Sequence, residues 1–401
     1  MSINPKLDIL KQIIDKQQEK EELSKYKLHS TMYDLVIKTV KDKNLILYGG
    51  FALNILLPKK HRIYKPKTLP DIDCFSENAK EDAINIADLL HEQGYKFIEV
   101  KSAIHAGTYK VFAEFMPIAD ITQVTKSMFE YLTNNSVIDK PTGLSICPKE
   151  FLMWSLYKEL ARPEGSGFRW EKIFSRYVIF HKHHKFIDKS KLKCFAEDSP
   201  TVNVFADFIK EQKWPLIGQR AVSLYLNMDC KPLPEMYAFD IIVENIDEAF
   251  KEIQKNFNLD NLSLQTYTTK SLKELTNKIG FVKHNNTRLC KLYETDSCYS
   301  FQKKQNFVIG SVDTVLHFLY ANYMISKHFD KSASHASHAS QKTENTPAVI
   351  KKLIIALEKY ALTLDIKERF KISCYGYEKT PTNVKKENWF KKAFNYRPDK
   401  I

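Results

Sequence analysis

Apolar residues recur at helical spacing near the start of the chain, at Leu7, Leu10 and Ile14 and again at Met32, Leu35, Val36 and Val40, which predicts an N-terminal helical segment over residues 1–43. The period then changes. Leu45-Ile46-Leu47-Tyr48 is a short apolar run of strand length, closed by Gly49-Gly50. Ala52 to Leu57 reads as a helix start that Pro58 stops. A basic segment with Lys59, Lys60, Arg62, Lys65 and Lys67 leads to Pro70 and a predicted strand from Asp71 to Phe75. A helix near Lys80 to His91, ended by Gly94, and strands near Phe97 to Lys101, Tyr109 to Phe115 and Ile118 to Val124 complete an α+β pattern with a mixed sheet.

Pro148 opens a helix carrying Leu152, Leu156 and Leu160, and the loop Pro163-Glu-Gly-Ser-Gly is expected to end it. Trp170, Ile173, Phe174, Tyr177 and Val178 then fall on one helical stripe. The following His181-Lys182-His183-His184 lacks a paired ligand spacing and reads as a basic, exposed helix end. A Ser/Ala/His/Thr tract within 331–347 has too little apolar character to offset its ordering entropy and is expected to be a mobile surface loop. Past Pro347, Ile350, Leu353, Ile354 and Leu357 restore a helical pattern.

Composition narrows the class. The 401 residues allow two or three domains, and 43% hydrophobic with 12% aromatic residues is a globular balance. Lys and Arg exceed Asp and Glu, 61 to 48, so the net charge of +13 favours a polyanionic partner. The seven cysteines are scattered with no C-x-x-C pair, which argues against a disulfide framework or a zinc module and for a reducing compartment. No signal-peptide pattern opens the chain and no run reaches the ~18 apolar residues of a span, so a cytoplasmic protein without a membrane partner is expected.

The chemistry concentrates in one place. Two carboxylates at i and i+2 on a strand point to one side, so Asp71 and Asp73 can grip cations together, and Asp120 on a neighbouring strand can complete the site. Gly49-Gly50 lets backbone approach a triphosphate closely, with helix N-terminal amides as anion receptors. This layout suits phosphoryl transfer, where two oxygen-bound Mg2+ ions position the reactants and neutralise charge. Downstream, Lys158 and Arg162 join Arg169, Lys172 and Arg176, spaced i, i+3, i+7, as contacts for triphosphate or RNA backbone. The basic residues Lys59, Lys60, Arg62, Lys65 and Lys67 are the better RNA candidates, being next to the acidic strand. The interleaved cations and aromatics between Lys385 and Arg397 fit either a single-strand binder or an ordinary packed helix face.

The layout resembles the DNA polymerase β nucleotidyltransferase superfamily. Within it, Gly49-Gly50-Phe51-Ala52-Leu53-Asn54, Asp71-Ile72-Asp73-Cys74-Phe75, Tyr157 to Pro163 and Arg169 to Lys172 are similar to the catalytic poly(A) polymerases of large cytoplasmic DNA viruses and related cytoplasmic elements. The resemblance implies Asp71 and Asp73 as ligands of two Mg2+ or Mn2+ ions, with Asp120 as ligand and orienter of an RNA 3′-hydroxyl. It implies Gly49, Gly50 and Asn54 at the incoming ATP, and it leaves room for a second copy of the chain or a processivity subunit. Transfer of AMP from ATP to RNA 3′-ends is the leading expectation. Addition of U or CCA, or a catalytically silent RNA-binding subunit on the same fold, are the alternatives. Phe51 departs from the Ser that commonly follows the glycine pair, so backbone amides or basic side chains must supply that phosphate contact.

A second, faded copy is also visible. Leu45 to Leu57 resembles Trp214 to Leu226, with Gly218 on Gly49 at an offset of 169 residues, Gln219 on Gly50 and Ser223 on Asn54. The same offset places Asp240-Ile241-Ile242 on Asp71-Ile72-Asp73, followed by a helix-like run from Asn245 to Phe250. Val312 to Met324 echoes the helix after Pro148. The expected organisation is therefore a helical segment over 1–43, a polymerase β-like nucleotidyltransferase domain over 44–195, and a degenerate nucleotidyltransferase-like domain over 196–401.

Overall fold

In a computed structural model, the chain forms two compact units, Met1–Pro148 with Asn388–Ile401, and Lys149–Glu387. The structure describes residues 5–103, 107–188, 199–228, 237–257, 261–268, 275, 278–285, 287–295, 297–332, 346–377 and 394–400. Among these, no helix is long and apolar enough to cross a membrane.

The first unit opens with α1 (Pro5–Asp42), of which Met32, Val36 and Val40 are buried while Leu7, Leu10 and Ile14 are exposed. Then come β1 (Ile46–Leu47), α2 (Gly49–Leu56), β2 (Ile72–Ser76), α3 (Ala79–Glu92), β3 (Glu99–Ser102), β4 (Thr108–Ala113), β5 (Met116–Gln123), α4 (Lys126–Asn135), β6 (Val137–Ile138) and β7 (Ser145–Ile146). The buried stripe Ala83, Ile86, Ala87 and Leu90 of α3 packs on β4 and β5, as its helical spacing requires. Thr125 caps α4 by accepting the Met128 N–H.

The second unit begins with α5 (Lys149–Leu160), α6 (Pro163–Ser166), α7 (Trp170–His184) and α8 (Pro200–Gln212). Next come β8 (Leu216–Ile217), α9 (Gly218–Leu226), β9 (Phe239–Val243), α10 (Ile246–Asn256), β10 (Leu262–Thr268), β11 (Lys278–His284) and β12 (Thr287–Glu294). It closes with β13 (Tyr299–Lys304), β14 (Phe307–Gly310), α11 (Val312–Ser332), α12 (Thr346–Ala361), α13 (Ile366–Arg369) and β15 (Cys374–Tyr375). A last strand, β16 (Asn395–Tyr396), returns to the first unit.

The two sheets are built alike. The first runs β16-β3-β4-β5-β2-β1-β7-β6 and the second β10-β11-β12-β9-β8-β14-β13-β15. Leaving aside β16 and β15, seven strands follow one spatial order. Pairing senses also match: β1/β2 and β8/β9 are antiparallel, β2/β5 and β9/β12 parallel, β4/β5 and β11/β12 antiparallel, β1/β7 and β8/β14 parallel. The sheet expected around Asp240 is present, and the second unit is a repeat of the first.

Several expectations change. The units divide at Pro148/Lys149 rather than at 195/196, because α5 packs on α7 and α11 of the second unit. The expected loop at 163–167 is helical, with Pro163 at its first position, where a missing N–H costs nothing. His181 is buried, its Nε2 3.1 Å from Glu358 Oε2, instead of lying on an exposed helix end. Val178 of the predicted apolar stripe is exposed. Cys298 and Cys374 form a disulfide with Cα atoms 5.3 Å apart, which the scattered cysteines had argued against. Phe394 to Arg397 carry no helix: Asn395 and Tyr396 pair with β3, and Arg397 Nη2 lies 2.9 Å from Glu99 Oε1. The tract 333–345 and residues 385–393 lie outside the described residues.

Two buried charged groups of the second unit are held by polar partners. Arg369 grips Asp313 through Nη2 at 2.7 Å and Nε at 3.2 Å, with both side chains almost fully buried. The Tyr157 and Tyr320 hydroxyls donate to Glu358 Oε1 at 3.0 and 2.9 Å. Replacing Arg369 by Met leaves Asp313 buried without its cation and is expected to lower stability by about 3–5 kcal/mol. The double change Asp313→Leu/Arg369→Met should recover most of that loss in chemical denaturation. Equal loss in both variants would show that packing, not charge, is at stake.

Candidate active site

The site is assembled where β1 turns into α2 above β2. Tyr48, the last residue before the turn, donates its N–H to the Asp73 carbonyl at 2.9 Å. Its ring stacks on Phe75 with centroids 4.0 Å apart, and its hydroxyl lies 2.8 Å from Thr122 Oγ1. Burial pushes that hydroxyl's pKa well up, and the nearby Asp73 carboxylate adds to the shift, so Tyr48 stays neutral. The chain then enters α2 through Gly49 at φ +69°. A Cβ there would fall 2.3 Å from Asp73 Oδ2. Glycine is needed twice over, for the left-handed backbone and for the carboxylate pressed against its Cα.

Asp71 is exposed and immediately precedes β2, two residues from Asp73. Parallel pairing sets Asp73 beside Asp120 of β5, on strands about 4.8 Å apart. The residues that follow them, Cys74 and Ile121, alternate to the other side and are fully buried. The sequence-predicted trio is thus brought to one face of one sheet. All its donors are carboxylate oxygens, the set that suits a hard divalent cation. The oxygens of the three do not all come within 4.8 Å of one another.

A fourth residue, missed by the sequence, joins the row. Lys110 of β4 lies opposite Asp120 and clamps both its oxygens, with Nζ at 2.7 Å from Oδ1 and 2.5 Å from Oδ2. Without a bulge between Val111 and Phe112, the β4/β5 hairpin would set Lys110 against Ala119 instead. Hydrophobic alternation alone cannot reveal that one-residue shift.

The other predicted residues separate into groups. Gly50 is buried in the first turn of α2. Asn54 is buried and accepts the Tyr64 N–H at 2.9 Å, so its side chain pins the basic segment rather than facing open solvent. Phe51, in place of a serine, makes an edge contact with Tyr33 of α1, centroids 6.2 Å apart. Lys59, Lys60, Arg62 and Lys67 are exposed, and Lys65 lies 3.5 Å from Glu19. Lys158, Arg162, Arg169, Lys172 and Arg176 belong to the second unit. There Lys158 sits 5.1 Å over the Trp154 ring and Arg169 lies 3.4 Å from Glu159. Arg169 falls in a 3-10 turn before α7, so the expected i, i+3, i+7 stripe starts outside the helix.

The second unit repeats the turn. Gly218, at φ +70°, opens α9, and a Cβ on it would fall 2.1 Å from Asp240 Oδ2. Since Ile217 pairs with Asp240, the register makes Asp240 the counterpart of Asp73. The constant offset had set it on Asp71, and the structure corrects that by two residues. Ala238 then stands for Asp71, and Lys291, paired with Asp240, stands for Asp120. Burial pushes the Asp240 carboxyl's pKa up, against the opposing pull of Lys291 and Tyr293.

Strand order, glycine turn and carboxylate row together define a nucleotidyltransferase-like fold. Residues 34–166, which hold the whole carboxylate row, match the family described as poly(A) polymerase catalytic subunit. A protein of Acanthamoeba polyphaga mimivirus bearing that name is 27% identical over 209 residues, 51% of this chain and 35% of the relative. One of African swine fever virus (isolate Pig/Kenya/KEN-50/1950) is 31% identical over 157 residues, 39% of this chain and 32% of the relative. The matched segments thus span about a third of these relatives' length. The fold matches the crystal structure of the Megavirus polyadenylate synthase with a TM-score of 0.79 at 17% identity, covering 100% of this chain and 87% of that one.

Gly49→Ala and Gly218→Ala test the shared turn. Each forces a side chain into a left-handed position and against a carboxylate, and each is expected to lower stability by about 1–3 kcal/mol. Thermal unfolding of the two variants measures it. An unshifted melting curve for either would mean that its turn tolerates a Cβ.

Proposed function

We propose that the chain is a template-independent polynucleotide adenylyltransferase, transferring AMP from ATP to RNA 3′-ends and releasing pyrophosphate. The row Asp71, Asp73 and Asp120, set beside a glycine turn that opens a helix, carries this reading. The match of residues 34–166 to the poly(A) polymerase catalytic subunit family supports it.

The residues have distinct parts. Asp71, Asp73 and Asp120 would hold two Mg2+ or Mn2+ ions, which when bound supply charge neutralisation at the transferred phosphoryl group. No acidic residue belongs to the first turn of α2, whose amides would present donors to the triphosphate. Lys59, Lys60, Arg62 and Lys67 offer cations for the RNA backbone. Lys110 acts as a positioning residue that holds the Asp120 carboxylate until a cation takes its place.

Incorporation of labelled nucleotide onto an oligo(A) primer, with each of the four NTPs, tests the reaction and the base choice. The double variant Asp71→Ala/Asp73→Ala removes about 4 kcal/mol of transition-state stabilisation and should slow transfer roughly a thousandfold. Persistent activity would defeat the assignment, and preference for UTP or CTP would move it to another terminal transferase. Arg62→Ala should raise the apparent KM for ATP if that cation replaces the hydroxyl missing at Phe51; an unchanged KM leaves the backbone amides in that part. Lys110→Met should tighten Mn2+ binding, read by titration calorimetry without substrate. Unaltered Mn2+ affinity would remove Lys110 from the site's workings.

A further inference from the structure

The second unit has lost its metal ligands in a pattern. Following the shared register, Ala238 replaces Asp71 and Lys291 replaces Asp120. On the next strand Phe281, which pairs with Lys291, replaces Lys110. One strand further, Tyr267 stands where the first unit has Ala103, and Tyr237 stands where it has Pro70. Carboxylates have gone, and three aromatic rings and a cation have come in, all on one face.

These side chains touch. Tyr237 and Phe281 have centroids 5.3 Å apart, and Tyr267 meets Phe281 edge-on at 5.3 Å. Lys291 Nζ lies 5.7 Å from the Tyr237 centroid and 6.0 Å from that of Phe281. The buried Asp240 carboxylate, 4.0 Å from Nζ, holds the ammonium over the rings. Arg288 lies close enough to Tyr237 to oppose the burial that pushes its hydroxyl up to about 12. Tyr267 is 49% exposed, and Tyr237 and Phe281 are half-buried. A ring cluster left open to solvent on a sheet face costs apolar exposure, and its constant companions are cations.

We infer that this face of the second unit binds single-stranded nucleic acid, stacking bases on Tyr237, Phe281 and Tyr267 beside Lys291. Base–aromatic stacking is sequence-tolerant, and adjacent cations track the phosphates. Half-buried and exposed rings with the cations Lys291 and Arg288 beside them are complementary to a polyanion that carries flat apolar groups, which is what single-stranded nucleic acid offers. The inference rests on the reading that the chain works on RNA 3′-ends. It gives the growing tail a second hold, on the second unit.

Fluorescence anisotropy of a labelled oligo(A), titrated with the full chain, tests it. Tyr237→Ala/Phe281→Ala and Tyr267→Ala should each weaken binding about tenfold or more, since each lost stack is worth roughly 1–3 kcal/mol. Tyr237→Phe and Tyr267→Phe keep the rings and should bind as wild type does, with unchanged melting curves for all variants. Lys291→Met should reduce the slope of log affinity against log salt by about 0.7. Ring variants that bind oligo(A) as tightly as wild type, while wild type transfers AMP, would overturn this inference and leave the enzyme reading intact. Wild-type binding through the rings without AMP transfer would do the reverse. No oligo(A) binding by wild type would overturn the inference outright, and would point to a protein as the occupant of this face.

Discussion

A carboxylate oxygen of Asp73 lies 2.3 Å from the position a methyl on Gly49 would take, and the left-handed φ of that residue favours glycine as well. Tyr48 is bonded through its N–H to the Asp73 carbonyl and stacked on Phe75, so backbone and ring both hold β1 down on β2. The first turn of α2 therefore opens directly over the acidic strand. Glycine is what lets that turn and the Asp73 carboxylate approach so closely. β5 then needs only its parallel register to bring Asp120 alongside, and β4 its bulge to bring Lys110.

The repeat shows which part of this arrangement is fold and which is chemistry. Gly218 and Asp240 keep the same close contact although the other acidic positions have become Ala238 and Lys291. The carboxylate that survives is the one packed under a glycine; those that changed have no such neighbour to satisfy. Once buried, Asp240 has Lys291 and Tyr293 as partners, and losing it would leave both without it. The glycine–carboxylate contact is thus common to both units, whereas the residues around it differ.

Much of this was legible in the order of residues. The apolar run at Leu45 to Tyr48, the glycine pair and the alternation around Asp71 and Asp73 mark strand, turn and strand, because a buried strand has few other ways to be written. The partner strand of Asp120 was also clear. What escaped were relations that depend on register. Lys110 meets Asp120 through a bulge that leaves no signature in hydrophobicity. Asp240 was set on Asp71 because a constant offset fails once the segment between glycine and strand differs in length. His181 read as exposed because only α12, far along the chain, supplies the Glu358 that shares its burial. The hydrogen bond from the Tyr64 amide to Asn54 also escaped, because it closes across a loop.

The strand β16 gives the first unit an unusual birth order. Its Tyr396 hydroxyl reaches Asp88 of α3 at 2.5 Å, and Arg397 neutralises Glu99 at the sheet's outer edge. During synthesis, the carboxylate-bearing sheet emerges first and waits with β3 uncovered while the whole second unit is made. An open edge strand is a template for pairing with other chains. The ribosome thus completes the second unit before it completes the first, and until then the charges of Glu99 and Lys101 are what guards the open edge of β3.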